Sequence, residues 1–393
     1  MAVLEHDVTR NFFWRTAIAA FAASGVLSSV TAHSAPETVL YSFQDGSDGA
    51  YPAAGLIDVG GNLYSITTYG GAHLNGTLYK VTTPGVEAPV YAFGATGDGA
   101  NPSAGLVSVA GEFYGATQGG GNGQGMVFKV TKRGVETALH SFGYGSGDGV
   151  FPSSGLVKVG NALFGTTSRG GAYVTGCEDY GCGTVFQITP AGVETVVHSF
   201  SAAGSDGVAP GGGLLNVGGA LYGTAQGGGA NSYGTVFSVT PAGAFAVLYS
   251  FKGGSDGEYP DAGLIAAQGV LYGTTSSGGA YGGGTVFALT STGAETVLHS
   301  FGSTDDGSYP YATLLKLGDK LYGTTFDGGK SGNGTVFFVN TSGTEKVLHS
   351  FEGQAAGDGS GPFCNLINVG GTLYGTTVAG GTLGHGVVFK ISP

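Results

Sequence analysis

The chain has 393 residues, 10% of them charged, with 26 acidic against 14 basic side chains and a net charge of −12. That balance argues against nucleic acid or any other polyanion as a partner. Glycine accounts for 80 residues; they recur at fixed places between short runs of Leu, Val, Phe and Tyr, so they read as turns between strands and not as low complexity.

Residues 1–35 differ from the rest. Arg10 and Arg15 flank an aromatic patch, the apolar run Thr16–Val30 follows, and Val30-Thr31-Ala32 offers small residues for cleavage. This is the outline of a secretory signal peptide. The run is shorter than the ~20 residues a membrane span needs. The expectation is an exported protein, periplasmic or secreted, whose mature chain makes no stable membrane insertion. It would also lack tryptophan, since Trp14 is the single one.

From residue 36 onward one stretch is written seven times. Its clearest copy, Ala262–Phe301, holds four apolar runs: Gly263–Ala266, Leu271–Thr275, Gly284–Thr290 and Glu295–Phe301. The closing phenylalanines Phe43, Phe93, Phe142, Phe200, Phe251, Phe301 and Phe351 are spaced by 50, 49, 58, 51, 50 and 50 residues. A period of about 50 with four strands per unit is that of a kelch-like blade. No stretch carries apolar residues at i, i+3 and i+4 without an interrupting glycine, which argues against a helical solenoid. The prediction for 36–393 is one all-β domain, a seven-bladed β-propeller with four antiparallel strands per blade. The blades cover about 50–93, 100–142, 150–200, 208–251, 258–301 and 308–351, with the seventh built from 360–393 plus 37–43. Pro36–Phe43 has no sheet before it, and Gly386–Pro393 is a third strand with no fourth after it. The N-terminal strand is therefore expected to complete the last blade and close the ring. A monomer is expected. The longer loops, between strands two and three and between blades, should gather on one face.

The recurring Leu-Tyr-Gly-Thr-Thr, Gly-Gly, Gly-Thr-Val-Phe, Leu-His-Ser-Phe and Asp-Gly-x-x-Pro strings together resemble the GloVer-type tandem repeat of exported bacterial proteins. In blade 6 the resemblance is carried by Leu321–Thr325, Gly334–Phe337 and Leu348–Phe351, and it spans about 37–393. It implies a propeller, and it implies no particular activity. Many members look as though they carry a C-terminal sorting or anchoring segment; here the sequence stops at Pro393 directly after a strand, so cell-wall or membrane anchoring is not expected. The double glycine after strand two is also similar to kelch, without the kelch tryptophan in strand four.

The crossovers carry Asp48, Asp98, Asp148, Asp206, Asp256, Asp306 and Asp358, each followed by glycine. They read as turns, because one carboxylate per blade cannot supply the six to eight oxygens of a calcium site. The densest acidic grouping is Asp256, Glu258 and Asp261, with Asp305 and Asp306 in the next crossover. No zinc motif is present, and neither a metal nor a cofactor is expected. Gly253–Gly257 matches G-x-S-x-G only formally, since no helix follows. His140, His198, His299 and His349 stand where other copies have Tyr41, Tyr91 and Tyr249, which points to packing with a polar tip. Cys177 and Cys182 lie in the one sizeable insertion, which lengthens the blade 3 loop, and read as a local disulfide. Cys364 reads as a small buried thiol.

A ligand site is sought where the copies differ. Blade 3 offers Arg169, Tyr173, Glu178, Asp179 and Tyr180; blade 6 offers Thr313, Asp327 and Lys330; blade 7 offers Asn365 and His385. No catalytic residue is assigned. The expected function is non-catalytic binding or scaffolding outside the cell, with a glycan or other extracellular polymer on the loop face. The alternatives are a polysaccharide lyase or hydrolase using loop-face carboxylates, which as a glycosidase would need two carboxyls about 5–10 Å apart, or a purely structural surface protein.

Overall fold

The computed structural model describes residues 37–143, 147–173, 176–177, 181–203 and 205–393. The expected signal peptide, 1–35, lies outside them. The described residues form seven antiparallel blades of four main strands; in six of them the strands follow one another in chain order, and in the seventh the outer strand comes from the N-terminal end. In blade 5 these are Ile265–Ala267, Val270–Thr275, Thr285–Thr290 and Glu295–Ser300. Blades 2 and 3 add a short strand from the crossover, Gly99–Pro102 and Gly149–Pro152, on the end of a longer second strand. The remaining regular elements include two single-turn 3-10 helices, Gly254–Asp256 and Gln354–Ala356. Among the described residues no helix is long and apolar enough to cross a membrane.

Each sheet is packed on both faces, so neighbouring residues of its third strand are buried together: Val286, Phe287 and Leu289 are fully buried, and the part-buried place between the last two is Ala288 here and Lys80 in blade 1. The glycine of Leu-Tyr-Gly-Thr-Thr follows from this packing. A Cβ on Gly273 would lie 2.6 Å from Cζ of Phe287 on the neighbouring strand, so glycine leaves room for the ring to cross there. Threonine pairs such as Thr275 and Thr285, whose hydroxyls lie 2.8 Å apart, satisfy the buried polar atoms beside it.

Every closing phenylalanine packs on the third-strand aromatic of the next blade. Phe93 meets Phe128 at 4.8 Å, Phe251 meets Phe287 at 5.2 Å and Phe301 meets Phe337 at 4.8 Å. The ring closes as expected. Glu37–Ser42 pairs with Val387–Ile391 as the outer strand of blade 7, and Phe43 then meets Tyr79 of blade 1 at 5.0 Å. All seven outer strands carry a bulge at the same place, between Val39 and Tyr41 in this copy and between Ala138 and His140 in blade 2. A bulge re-aims the side chain beyond it, here the tyrosine or histidine.

One boundary differs from expectation. The inner strand of blade 5 starts at Ile265, two residues later than Gly263, because Gly263 lies against the backbone of Gly213 in the adjacent blade, at 2.9 Å from a would-be Cβ. That position belongs to the channel mouth and not to the sheet.

Candidate functional site

Two features repeat around the ring, one at its mouth and one at its rim. At the mouth, the residue two places before each inner strand faces its counterpart in the neighbouring blade: Gly55, Gly105, Gly155, Gly213, Gly263, Thr313 and Asn365. A Cβ on Gly155 would lie 3.1 Å from the Gly105 carbonyl oxygen, and one on Gly55 would lie 3.3 Å from Asn365 Cβ. Blades 6 and 7 replace glycine with side chains that bond along the ring. The Gly263 amide donates to Thr313 Oγ1 at 3.0 Å, and the Thr313 amide donates to Asn365 Oδ1 at 2.8 Å.

Outside this ring the blades diverge. The residue after the crossover proline is Ala53, Ser103, Ser153, Gly211, Asp261, Tyr311 or Phe363. The Tyr311 and Phe363 rings are 5.2 Å apart, and Phe326 lies 6.0 Å from the first and 6.2 Å from the second. Phe326 occupies a place held elsewhere by Thr68, Gln118, Ser168, Gln226, Ser276 and Val378. Tyr309, 38% exposed, stacks at 6.4 Å from Tyr311. Across the closure Tyr51 meets Tyr69 at 5.7 Å and His385 at 5.9 Å, both edge-on. Blades 6, 7 and 1 thus form an aromatic sector, whereas blades 2 to 4 supply Asn101, Ser103, Phe151, Ser153, Ala209 and Gly211 at the matching places. Asp327, next to Phe326, is half-buried, and burial raises its carboxyl above the usual range.

At the rim, each outer-strand tyrosine or histidine reaches the aspartate of the following crossover. Tyr41, Tyr91 and Tyr249 donate to Asp48, Asp98 and Asp256 at 2.9, 2.9 and 2.6 Å. His140, His198, His299 and His349 lie at 3.2, 3.2, 3.1 and 3.1 Å from Asp148, Asp206, Asp306 and Asp358. The same aspartates accept backbone amides, such as Gln44 N–H on Asp48 at 2.9 Å. The Asp-Gly units are therefore seam anchors as well as turns. The next blade's outer strand adds a glutamate, one of Glu87, Glu136, Glu194, Glu295, Glu345 and Glu37. In each, burial and the nearby aspartate push the carboxyl up to about 7. Phe245 replaces the glutamate beside His198, stacking on the imidazole at 3.9 Å. There burial prevails over Asp206 and lowers the histidine. His140 is also drawn down by burial, but Asp148 and Glu194 outweigh it and hold it above its ordinary value.

A family model described as the Gloeobacter/Verrucomicrobia repeat matches residues 6–178 and 174–389. The chain belongs to this family. No curated protein matches. Among solved structures this repeat propeller is similar to a putative gluconolactonase (14% identity, 81% of this chain and 96% of that one, TM-score 0.44). It is also similar to a putative 6-phosphogluconolactonase from Bacteroides uniformis (14%, 76% and 84%, TM-score 0.48). A puromycin hydrolase matches with TM-score 0.54 at 14% identity, over 85% of this chain and 51% of that one. At such identity the likeness is one of fold.

The residues singled out in the sequence of this Gloeobacter/Verrucomicrobia repeat protein fall in several places. Thr313 and Asn365 are brought together at the mouth, and His385 packs on Tyr51 at the edge of the aromatic sector. Arg169 and Asp327 hold one repeat position in blades 3 and 6, paired with Val150 and Ser308, and so stand apart. Lys330 lies in an exposed turn, its amide donating to Ser350 at 3.4 Å. Cys177 and Cys182 form the expected disulfide, with Cα atoms 5.2 Å apart. Tyr173 beside it is 52% exposed and helps line an open cavity of about 630 Å³ with His198 and Asp206. Glu178, Asp179 and Tyr180 lie outside the described residues. Cys364 is buried, and burial pushes its thiol up to about 12. The acidic grouping of blade 5 is not gathered into a ligand set. Asp256 is occupied by Tyr249 and the Lys252 amide, and Glu258 accepts the Gly254 amide at 2.9 Å. Among the described residues, the side-chain groups that could hold a metal are instead three rim seams: His140–Asp148–Glu194, His299–Asp306–Glu345 and Glu37–His349–Asp358.

Proposed function

We propose that the protein is an exported, non-catalytic binding propeller that takes a glycan chain across the mouth sector of blades 6, 7 and 1. The observation that carries this reading is the placement of Tyr311, Phe326 and Phe363 in one cluster, at repeat positions occupied mostly by small or polar residues elsewhere. Flat aromatic faces take the C–H faces of sugars, while a few placed polar groups fix orientation. Asn365 commits its Oδ1 to Thr313 and leaves its amide nitrogen for a ligand. The half-buried Asp327 is a second polar group on blade 6.

A glycan array with the mature chain tests this, run beside a Tyr311→Ser, Phe363→Ser variant that installs the residue blades 2 and 3 use. Binding by the parent, lost at least tenfold in a variant that still folds and melts cooperatively, is expected. An array with no bound glycan, or binding unaffected by the exchange, contradicts it. Shortened or unsaturated products released from a bound polysaccharide would replace it with the lyase or hydrolase reading.

A further inference from the structure

We propose that three of the rim seams are zinc sites, each binding one Zn²⁺ through one histidine Nε2 and two carboxylates: His140–Asp148–Glu194, His299–Asp306–Glu345 and His349–Asp358–Glu37. In each, one ligand atom from every residue lies within 4.8 Å of the other two. The histidine Nε2 to aspartate Oδ2 distances are 3.2, 3.1 and 3.1 Å. Zinc bonds of about 2.0–2.1 Å in a tetrahedron put ligand atoms about 3.3–3.4 Å apart, so these pairs already span nearly one edge. One imidazole and two carboxylates is a nitrogen–oxygen set suited to zinc, with the fourth position left for water.

The third ligand points the same way. Oε1 of Glu194, Glu345 and Glu37 is buried without a hydrogen-bond partner. A carboxylate oxygen cut off from both water and donors is costly, and a cation would satisfy it. The histidines remain 22, 19 and 13% exposed, so an ion can enter from the rim.

The other four seams are built-in controls. An unpartnered glutamate oxygen also occurs at Glu87, Glu136 and Glu295, so the imidazole is what sets the three apart. In those seams a phenol donates its proton to the aspartate, and burial raises its pKa further. The fourth histidine, His198, has Asp206 but finds the ring of Phe245 where the glutamate would be.

The test uses the untagged chain, stripped with chelator, saturated with Zn²⁺ or with Co²⁺ as a visible reporter, exchanged into metal-free buffer and analysed for bound metal. Three equivalents are expected for the parent. His140→Tyr, His299→Tyr and His349→Tyr should each remove one, and the triple variant should bind none. His198→Tyr should still hold three. Tyrosine is the residue the chain itself uses in the equivalent seams, so these variants should fold, which their melting curves check. Fewer than three equivalents in the parent, or a folded triple variant that still binds, overturns the proposal.

Discussion

Blades 2 and 6 are alike at the rim and unlike at the mouth. Phe142 meets Phe186 at 5.2 Å where blade 2 joins blade 3, and Phe351 meets Phe389 at 5.1 Å where blade 6 joins blade 7. Both seams are fixed by a histidine on an aspartate, at 3.2 and 3.1 Å. Yet just past the crossover proline, one blade has Ser103 and the other Tyr311. The contrast shows which positions the ring constrains. A seam residue must satisfy its own blade and the next, and a change there is felt in a close-packed interior. A mouth residue beyond the proline touches solvent on one side, so it can vary at little cost to the fold.

The largest effect separating the two regions should come from removing a whole seam. Deleting 37–43 leaves Val387–Ile391 as an unpaired edge and removes Phe43 from Tyr79. A large fall in melting temperature with aggregation is expected. A truncated chain that melts like the parent would break the account of closure. A smaller cut should still tell rim from mouth. Phe301→Ala, at a fully buried ring, should cost about 3–5 kcal/mol in chemical denaturation, against about 1–2 kcal/mol for Tyr311→Ser, a part-exposed ring that gives up its contacts with Phe363 and Phe326. Equal losses would erase the distinction.

The smallest effect is in pH. In the tyrosine seams, Glu87, Glu136 and Glu295 have carboxyls pushed up to about 7 by burial and by the adjacent aspartate, against an ordinary value of 4.5. Between these values the folded chain holds protons that the unfolded chain has released. The contribution is therefore full below about pH 4.5 and is lost as pH rises through about 7. The side chains are only half-buried, so solvent screening reduces it. Melting temperature should fall from pH 5 to pH 8, and Glu→Gln at all three positions should flatten part of that fall. Stability that climbs over this range, unaltered by the triple exchange, would show that the seam carboxyls do not hold their protons.

The ring was legible in the sequence because its signals are local. The closing phenylalanines mark the period, and the orphan strand 37–43 marks the closure. Thr313 and Asn365 were legible as departures from a glycine that the other five copies keep, and the structure bonds them to each other. What was hidden is what the ring brings together from afar. A tyrosine or histidine stands seven to nine residues before each crossover aspartate, and that spacing was a readable sign of the pair. The glutamate arrives from the next blade's outer strand, as Glu194 does to Asp148, and no local spacing announces it. Tyr311 and Phe326 meet within blade 6, and Phe363 joins them only because blade 7 adjoins. The early start given to the inner strand of blade 5 has a similar cause, since Gly263 answers to a neighbouring blade.

The central claim is that function lies at the divergent mouth and the repeated rim holds the fold. The direct measurement is calorimetric affinity for the glycan selected on the array, in the parent and two variants. One variant carries Tyr311→Ser and Phe363→Ser. The other has the blade 3 insertion, 173–182, replaced by the short Tyr281-Gly282-Gly283 loop of blade 5. The account predicts at least a tenfold loss of affinity in the first and parental affinity in the second, both still folded and melting cooperatively. Affinity retained by the mouth variant and lost with the blade 3 loop would contradict it and move the site to the disulfide loop beside Tyr173.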